Sequence, residues 1–192
     1  MIQRLREFPS PDELDELYAK PYDHRRWNEH ERRVAHSIQV LHQRMSAALV
    51  MGTLRTVADL SCGDGAIINS FKSYVPKIKL IKGDFVPDAS LDVVGRIEDT
   101  IHTLQYTDLF ICTETLEHLE YPASFLAELR EKTRWLFLTT PIGEPPEGPV
   151  NPEHIWSWNL DDMRTMLTTA GFTGEYDIFV QPHYTYQIWT CR

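Results

Sequence analysis

The spacing of apolar residues along the chain changes from a helical to a strand-like period near residue 55. Before that point, a serine N-cap at Ser10 with a capping-box partner at Glu13 predicts a short helix. Apolar positions then recur at helical spacing over residues 27–52. We therefore predict two helices, which form an N-terminal helical cap over residues 1–54.

After residue 55, short runs rich in β-branched residues alternate with segments of helical spacing. The predicted strands are Thr56–Leu60, Ile78–Lys82, Leu91–Gly95, Asp108–Cys112, Trp135–Thr139, Glu175–Val180 and Tyr184–Thr190, and the predicted helices are Ala66–Tyr74, Ala123–Thr133 and Leu160–Ala170. Strands separated by helices favour right-handed crossovers and a parallel sheet. The last two strands must pair antiparallel, because a parallel crossover needs about a dozen residues or more. The predicted fold class is α/β, with a doubly wound, mostly parallel seven-stranded sheet over residues 55–192.

Composition narrows the class of protein. The chain has 192 residues, 42% of them hydrophobic and 24% charged, which is typical of a single soluble domain. Three widely spaced cysteines without a Cys-x-x-Cys pair argue against a disulfide scaffold and a zinc ribbon. No apolar run is long enough for a membrane span or a signal peptide, so we expect a cytoplasmic protein. The net charge of -9 argues against a broad nucleic-acid-binding surface but leaves room for a local basic patch.

A glycine-rich turn follows the first predicted strand. Gly63 and Gly65 come shortly after the strand's terminal acid, Asp59, and before a helix. Such a turn lets a ligand approach the backbone and directs free N–H groups toward it. A carboxylate here would repel phosphate, but it suits a cofactor with an amino group and a positive charge. Asp84 ends the next strand, 25 positions after Asp59, at a spacing typical of an acid that binds ribose hydroxyls.

These motifs resemble those of a known enzyme family. Residues 59–65, Asp-Leu-Ser-Cys-Gly-Asp-Gly, resemble the first motif of the class I S-adenosylmethionine-dependent methyltransferases, with Ser61 in place of the first glycine. Residues 114–118, Glu-Thr-Leu-Glu-His, resemble the fourth-strand motif of the small-molecule O-methyltransferases of the ubiquinone-pathway type. The resemblance covers residues 56–192. It implies a Rossmann-like sheet with an antiparallel terminal strand, S-adenosyl-L-methionine as cofactor and methyltransferase activity.

The resemblance also implies a set of cofactor-binding residues. They are Asp59, Ser61, Cys62, Gly63 and Gly65 at the amino-acid end, Asp84 at the ribose, Phe85, Ile97 and Glu98 at the adenine, Thr113 and Glu114 at the methionine part, and Tyr22 and Trp27 in the helical lid. Arg96 stands where the family commonly has an adenine-contacting acid, which shifts that contact to Glu98 or to a neighbouring group.

Methyl transfer from a sulfonium is a direct displacement, so it requires positioning and, for a protonated nucleophile, a base. Histidine is the natural base near neutral pH. His118, after the fourth strand, and His154, beyond a proline-rich loop, are the candidates. The predicted acceptor is an oxygen of a small molecule, with nitrogen second.

Two alternatives use the same residues. Glu114, Glu117, His118 and His154 are similar to the metal centre of small-RNA 2′-O-methyltransferases, for which manganese or magnesium suits the ligands better than zinc. The preferred prediction has no metal, because the chain is acidic and has no appended RNA-binding domain. The second alternative is a partner subunit that binds the cofactor without catalysing transfer.

Overall fold

A computed structural model describes residues 2–17, 30–143, 151–181 and 185–192. The strands are β1 (Gln3–Arg4), β2 (Thr56–Asp59), β3 (Lys79–Asp84), β4 (Val93–Val94), β5 (Thr107–Thr113), β6 (Thr133–Pro141), β7 (Trp156–Ser157), β8 (Gly174–Val180) and β9 (Thr185–Cys191). The α-helices are α1 (Pro11–Leu17), α2 (His30–Val50), α3 (Ala66–Asn69), α4 (Ile97–Thr100), α5 (Pro122–Arg130) and α6 (Leu160–Thr169). Short 3₁₀ helices lie at Ser70–Ser73, Ile101–Thr103 and Leu116–His118.

Seven strands form one sheet in the order β4-β3-β2-β5-β6-β9-β8. The five strands from β4 to β6 are parallel, and β9 pairs antiparallel with both β6 and β8. This arrangement confirms the predicted doubly wound, mostly parallel Rossmann-like sheet with an antiparallel end. The chain crosses over after β3 and β4 to place β5 on the other side of β2, and ligand sites in such sheets lie at this switch point.

Both faces of the sheet are covered, which explains why the middle residues of β5 and β6 are apolar without alternation. On β5, Leu109 and Ile111 belong to a cluster with α2 and α3, whereas Phe110 belongs to a cluster with α5 and α6. Neighbouring strand residues point to opposite faces, so one strand supplies both cores. Helix α2 buries Leu41 in the first of these clusters. The division of the chain at residue 54 stays a prediction.

Some elements differ from their predicted bounds. The helix predicted over residues 66–74 is one α-helical turn followed by a 3₁₀ segment, and the Ser70 hydroxyl donates to the Ile67 carbonyl at 2.6 Å. The strand predicted at residues 91–95 is only Val93–Val94. Strand β6 continues to Pro141, two residues beyond its predicted end at Thr139.

The antiparallel pair of β1 with β7 was not predicted. Each of these strands has two residues, which is too short for a periodic pattern. Asn159 before the predicted helix and Asp162 at its third position are the sequence pattern of an N-cap, and in the structure they form a reciprocal capping box. No helix in the described ranges is long and apolar enough to cross a membrane. The lid candidates Tyr22 and Trp27 lie outside the described residues.

Candidate active site

The candidate site lies where β2, β3 and β5 end. These strands are parallel neighbours, so their carboxyl ends meet at one edge of the sheet. Asp59 ends β2, Asp84 ends β3 and Thr113 ends β5. The structure therefore brings the two predicted acids and the start of the Glu-Thr-Leu-Glu-His segment together at the switch point.

The glycine turn closes onto Asp84. Gly63 has φ of 54°, and its N–H donates to the Asp84 carboxylate at 2.8 Å. Gly65 has φ of 70°, and a Cβ at this position would lie 2.8 Å from the Asn69 side chain. Both positions therefore favour glycine. On the other side of the turn, the Ser61 hydroxyl lies 2.8 Å from the Thr115 hydroxyl, which ties the turn to the segment after β5.

Asp59 lies beneath this turn and is only 2% exposed. Its carboxylate accepts a hydrogen bond from the Ser61 N–H at 3.1 Å. Burial raises the pKa of Asp59 to about 7. Burial likewise raises the pKa of the Cys62 thiol to about 12, so this predicted cofactor contact is a neutral thiol at physiological pH.

Glu114 has a strained backbone. Its φ is 53°, the only positive value for a non-glycine residue among the residues that the structure describes. The Thr139 hydroxyl donates to its carboxylate at 2.7 Å, and the Arg33 guanidinium of α2 lies 3.7 Å away. Burial raises the pKa of Glu114, and Arg33 opposes this effect. Strain of this kind is concentrated at functional sites, where the surrounding structure maintains it.

Glu117, His118 and His154 form a compact polar trio beside Glu114. One potential ligand atom from each side chain lies within 4.8 Å of the other two. In the alternative metal set of four residues, a single 3₁₀ turn carries Glu117 and His118. Glu114 precedes this turn, and its carboxylate is held by Thr139 and Arg33 instead.

Glu117 is 1% exposed and is held from two sides. The Thr140 hydroxyl donates to Oε2 at 3.0 Å, and the Ile155 N–H donates to the Glu117 carbonyl at 2.8 Å. Oε1 is buried and has no hydrogen-bond partner within the described part of the chain. Burial, reinforced by the charge of Glu114, raises the pKa of Glu117 to about 8.

The two imidazoles of the trio meet edge to face, with ring centroids 4.9 Å apart. Nδ1 of His118 lies 2.9 Å from the Glu153 carbonyl, which places the proton on Nδ1 and leaves a lone pair on Nε2. Burial, reinforced by the charge of His154, lowers the pKa of His118 to about 3. The Asn151 amide nitrogen lies 3.1 Å from Nε2 of His154. His118 is therefore neutral at physiological pH.

Two of the residues predicted at the adenine are engaged within the protein. Ile97 is 7% exposed and belongs to the core cluster beneath the sheet. The Glu98 carboxylate is bound by Arg96 at 2.8 Å and by the Tyr121 N–H at 3.0 Å. Phe85 follows Asp84 and is partly buried. The adenine contacts of these residues stay predictions.

Several residues of this edge were not found from the sequence. Thr115, Thr139, Thr140, Asn151 and Arg33 contact the predicted site residues from other elements. Threonines at the end of a buried strand carry no motif, and their partners lie tens of residues away along the chain. Only the strand-end position of Thr139 and Thr140, next to β5 in a parallel sheet, could have indicated them.

Comparison with known proteins supports the fold. No protein-family model matches the chain, and no curated protein matches its sequence. Among solved structures, 1,6-didemethyltoxoflavin-N1-methyltransferase from Burkholderia thailandensis, with S-adenosylhomocysteine bound, has a TM-score of 0.72 at 16% identity, over 100% of this chain and 94% of that chain. The N-terminal domain of EvdMO1 with SAH bound has a TM-score of 0.63 at 12% identity, over 83% of this chain and 80% of that one.

Human N-acetylserotonin methyltransferase in complex with SAM has a TM-score of 0.58 at 15% identity, and the match covers 96% of this chain and 59% of the human one. At these identities the likeness establishes the fold alone. The chain therefore has the fold of the class I S-adenosylmethionine-dependent methyltransferases, as the motifs predicted.

Proposed function

We propose that the protein is an S-adenosylmethionine-dependent methyltransferase that acts on an oxygen of a small molecule. One observation carries this proposal: the glycine turn after β2 is hydrogen-bonded to Asp84 at the end of β3, with Asp59 buried beneath it. This arrangement offers carboxylates for ribose hydroxyls and for a cationic amino-acid group at one edge of the sheet. The fold neighbours with bound SAM or SAH support the same cofactor.

In the proposed complex, Asp84 accepts hydrogen bonds from the ribose hydroxyls, and Asp59 faces the amino-acid end with Ser61, Cys62, Gly63 and Gly65. Thr113 and Glu114 flank the methionine part, and Phe85, Ile97 and Glu98 surround the adenine. The cofactor supplies an electrophilic methyl group on a sulfonium. The protein's contribution is alignment of the acceptor oxygen and removal of its proton.

His118 and His154 lie at the end of β5 next to Glu114, on the side proposed for the acceptor. Because His118 is neutral and has its lone pair on Nε2, it can accept a hydrogen bond from the acceptor's hydroxyl and orient it. Its pKa of about 3 makes it a weak base in the free protein, so proton removal by this residue requires the bound cofactor and acceptor to raise that pKa. His154 is 5% exposed and lies against His118, where it can share that role. An oxygen acceptor fits this pair, because a hydroxyl must lose its proton during transfer.

The experiment is a methyl-transfer assay with isotopically labelled cofactor on a panel of phenols, catechols and hydroxy acids. His118→Asn and His154→Asn are expected to reduce kcat on the best acceptor by about 10²-fold or more, as for loss of a general base. His102→Asn, at an exposed histidine outside the site, is the matched control and should leave the rate unchanged. Cofactor binding without transfer to any acceptor would instead support a non-catalytic partner subunit.

We propose a metal-dependent form of the same transfer as a second candidate. It is favoured by the trio of Glu117, His118 and His154 and by the buried, unpartnered Oε1 of Glu117 among the described residues. Two imidazoles and a carboxylate suit a divalent transition-metal ion such as Mn²⁺. Such an ion would orient the acceptor oxygen and lower its pKa. Activity that survives exhaustive chelation, with no Mn²⁺ or Co²⁺ binding by calorimetry, would remove this candidate and leave the metal-free proposal intact.

A further inference from the structure

A polar cavity lies at the end of the sheet opposite to the candidate active site. It has a volume of about 370 Å³ and is lined by Tyr106, Arg130, Arg134, Gly171, Thr173 and Arg192; we call it the arginine cavity. Tyr106 precedes β5, Arg134 is near the start of β6, and β9 pairs antiparallel with β6 so that Arg192 lies beside that start. The cavity is therefore at the amino edge of the parallel strands.

The arginines of this cavity differ from five other arginines, which are paired with carboxylates. Arg4, Arg33, Arg44, Arg96 and Arg164 each lie within 4.0 Å of a carboxylate. Within the described ranges, no Asp or Glu carboxylate lies at such a distance from Arg130, Arg134 or Arg192. Three guanidinium groups thus converge on one concavity without an acidic side chain, and the main-chain oxygen of Arg192 in the same lining accepts from the Thr173 N–H at 3.0 Å. Like charges gathered at one concavity repel one another, and a bound anion would relieve this repulsion.

Arg130 is fixed in place by its neighbours. Its Nε donates to the Gly171 carbonyl at 3.0 Å, and its Nη1 donates to the Thr133 carbonyl at 3.3 Å. The guanidinium lies over the Phe172 ring, 5.4 Å from the centroid. One guanidinium nitrogen, Nη2, remains for a ligand. The side chain is therefore pre-organised at the wall of the cavity, so little conformational entropy is lost when it binds.

From this geometry we propose that the arginine cavity binds an anion with two or more phosphate groups. Guanidinium groups bind phosphate oxygens through paired, charge-assisted hydrogen bonds, and three of them match a chain of phosphates better than a single carboxylate. The cavity volume is that of a small-molecule site. Tyr106 is 59% exposed in the lining and offers a stacking surface for a base. This site is separate from the cofactor edge, so the proposal does not rest on methyl transfer.

The test is calorimetric titration of the protein with inorganic tripolyphosphate at low and at physiological ionic strength. We expect saturable binding that weakens with salt, and a loss of affinity of at least about tenfold in Arg134→Ala and in Arg192→Ala, as for removal of one charged hydrogen-bonding group. Arg164→Ala is the matched control, because this exposed arginine is already paired with Asp161, and it should bind as the wild type does.

A uridine triphosphate titration distinguishes the source of the phosphates, and it avoids an adenine that could enter the proposed cofactor site. If uridine triphosphate binds more tightly than tripolyphosphate, and Tyr106→Ala removes this difference, the ligand is a nucleotide. Equal affinity of the two ligands identifies the phosphate chain alone. No saturation at millimolar tripolyphosphate, or an equal loss of affinity in Arg164→Ala, would overturn the proposal.

Discussion

Asp59 is a carboxyl group that the fold buries at the end of the central strand β2. Its pKa of about 7, raised by burial, means that the folded protein keeps this proton long after the unfolded chain has released it. A cofactor ammonium group beside Asp59 would favour the carboxylate and reverse part of this shift. The buried Asp59 carboxyl group therefore destabilises the free protein, whereas in the proposed complex it binds the ammonium group of the cofactor.

The pH dependence of stability tests this account of Asp59. Between about pH 4 and pH 7 the folded state binds more protons at this site than the unfolded state, so stability falls as pH rises through that window. Asp59→Asn removes this dependence. We measure the free energy of unfolding of both proteins by urea denaturation without cofactor. As the pH rises from about 4 to about 7, the difference between Asp59→Asn and the wild type should change by a few kcal/mol in favour of the variant, on the order expected from the shift of this pKa.

Glu117 and His118 also titrate, but they are present in both proteins, so their effects cancel in the difference. Asp88→Asn, at an exposed carboxyl group, is the control and should show no such gain with rising pH. Curves for Asp59→Asn and the wild type that stay parallel from pH 4 to pH 8 would contradict the burial argument.

Helix α6 shows how local sequence determines an element. Asn159 accepts from the Asp162 N–H at 2.9 Å, and the Asp162 carboxylate accepts from the Asn159 N–H at 3.1 Å. We expect Asn159→Ala to lower the free energy of unfolding by about 1 kcal/mol through loss of this cap. Urea denaturation measures the loss, and Asn159→Ser, which can still cap, should recover most of it. An Asn159→Ala variant as stable as wild type would show that tertiary packing alone maintains the helix.

The short sheet of β1 and β7 fixes the segment that carries His154. Arg6 donates to the Pro152 carbonyl, and to the Asn151 carbonyl at 3.1 Å, while the Leu5 N–H donates to the Ile155 carbonyl at 2.8 Å. We expect Arg6→Ala to loosen this segment and to lower kcat more than cofactor affinity. Hydrogen exchange should accelerate at the Ile155 amide, which donates to the Glu117 carbonyl.

Arg164→Ala, at an exposed arginine paired with Asp161, is the matched control for this effect and should leave exchange at Ile155 unchanged. Unaltered exchange and unaltered kcat in Arg6→Ala would show that the segment holds its position without the N-terminal strand.

Elements with a strong local signal were predicted well, and those that depend on distant partners were not. The β-branched runs, the α6 cap and the short connection before β9 each indicated their structure from neighbouring residues. By contrast, β1 and β7 exist only because they pair with each other. The same division holds in the site: the glycine turn and Asp84 have fixed spacing, whereas Arg33 reaches Glu114 from a helix 81 positions earlier.

At the scale of the whole molecule, the sheet separates two kinds of charge. Asp59, Asp84, Glu114 and Glu117 lie at or beyond the carboxyl ends of the parallel strands, whereas the arginine cavity lies at their amino ends. An acidic edge suits a cationic cofactor, and a basic cavity suits a phosphate-bearing ligand. The two proposed sites can therefore be tested independently, because a variant at one edge leaves the contacts of the other edge intact.

The most direct test of the central claim is calorimetric titration with S-adenosylmethionine. We predict saturable binding by the wild type and a loss of about 2 kcal/mol or more of affinity in Asp84→Ala, through the charge-assisted hydrogen bonds to the ribose. Asp88→Ala is the control, and circular dichroism checks folding, because Asp84 also accepts N–H bonds from Gly63 and Val86. No binding at millimolar cofactor, or full affinity in a folded Asp84→Ala variant, would contradict the account.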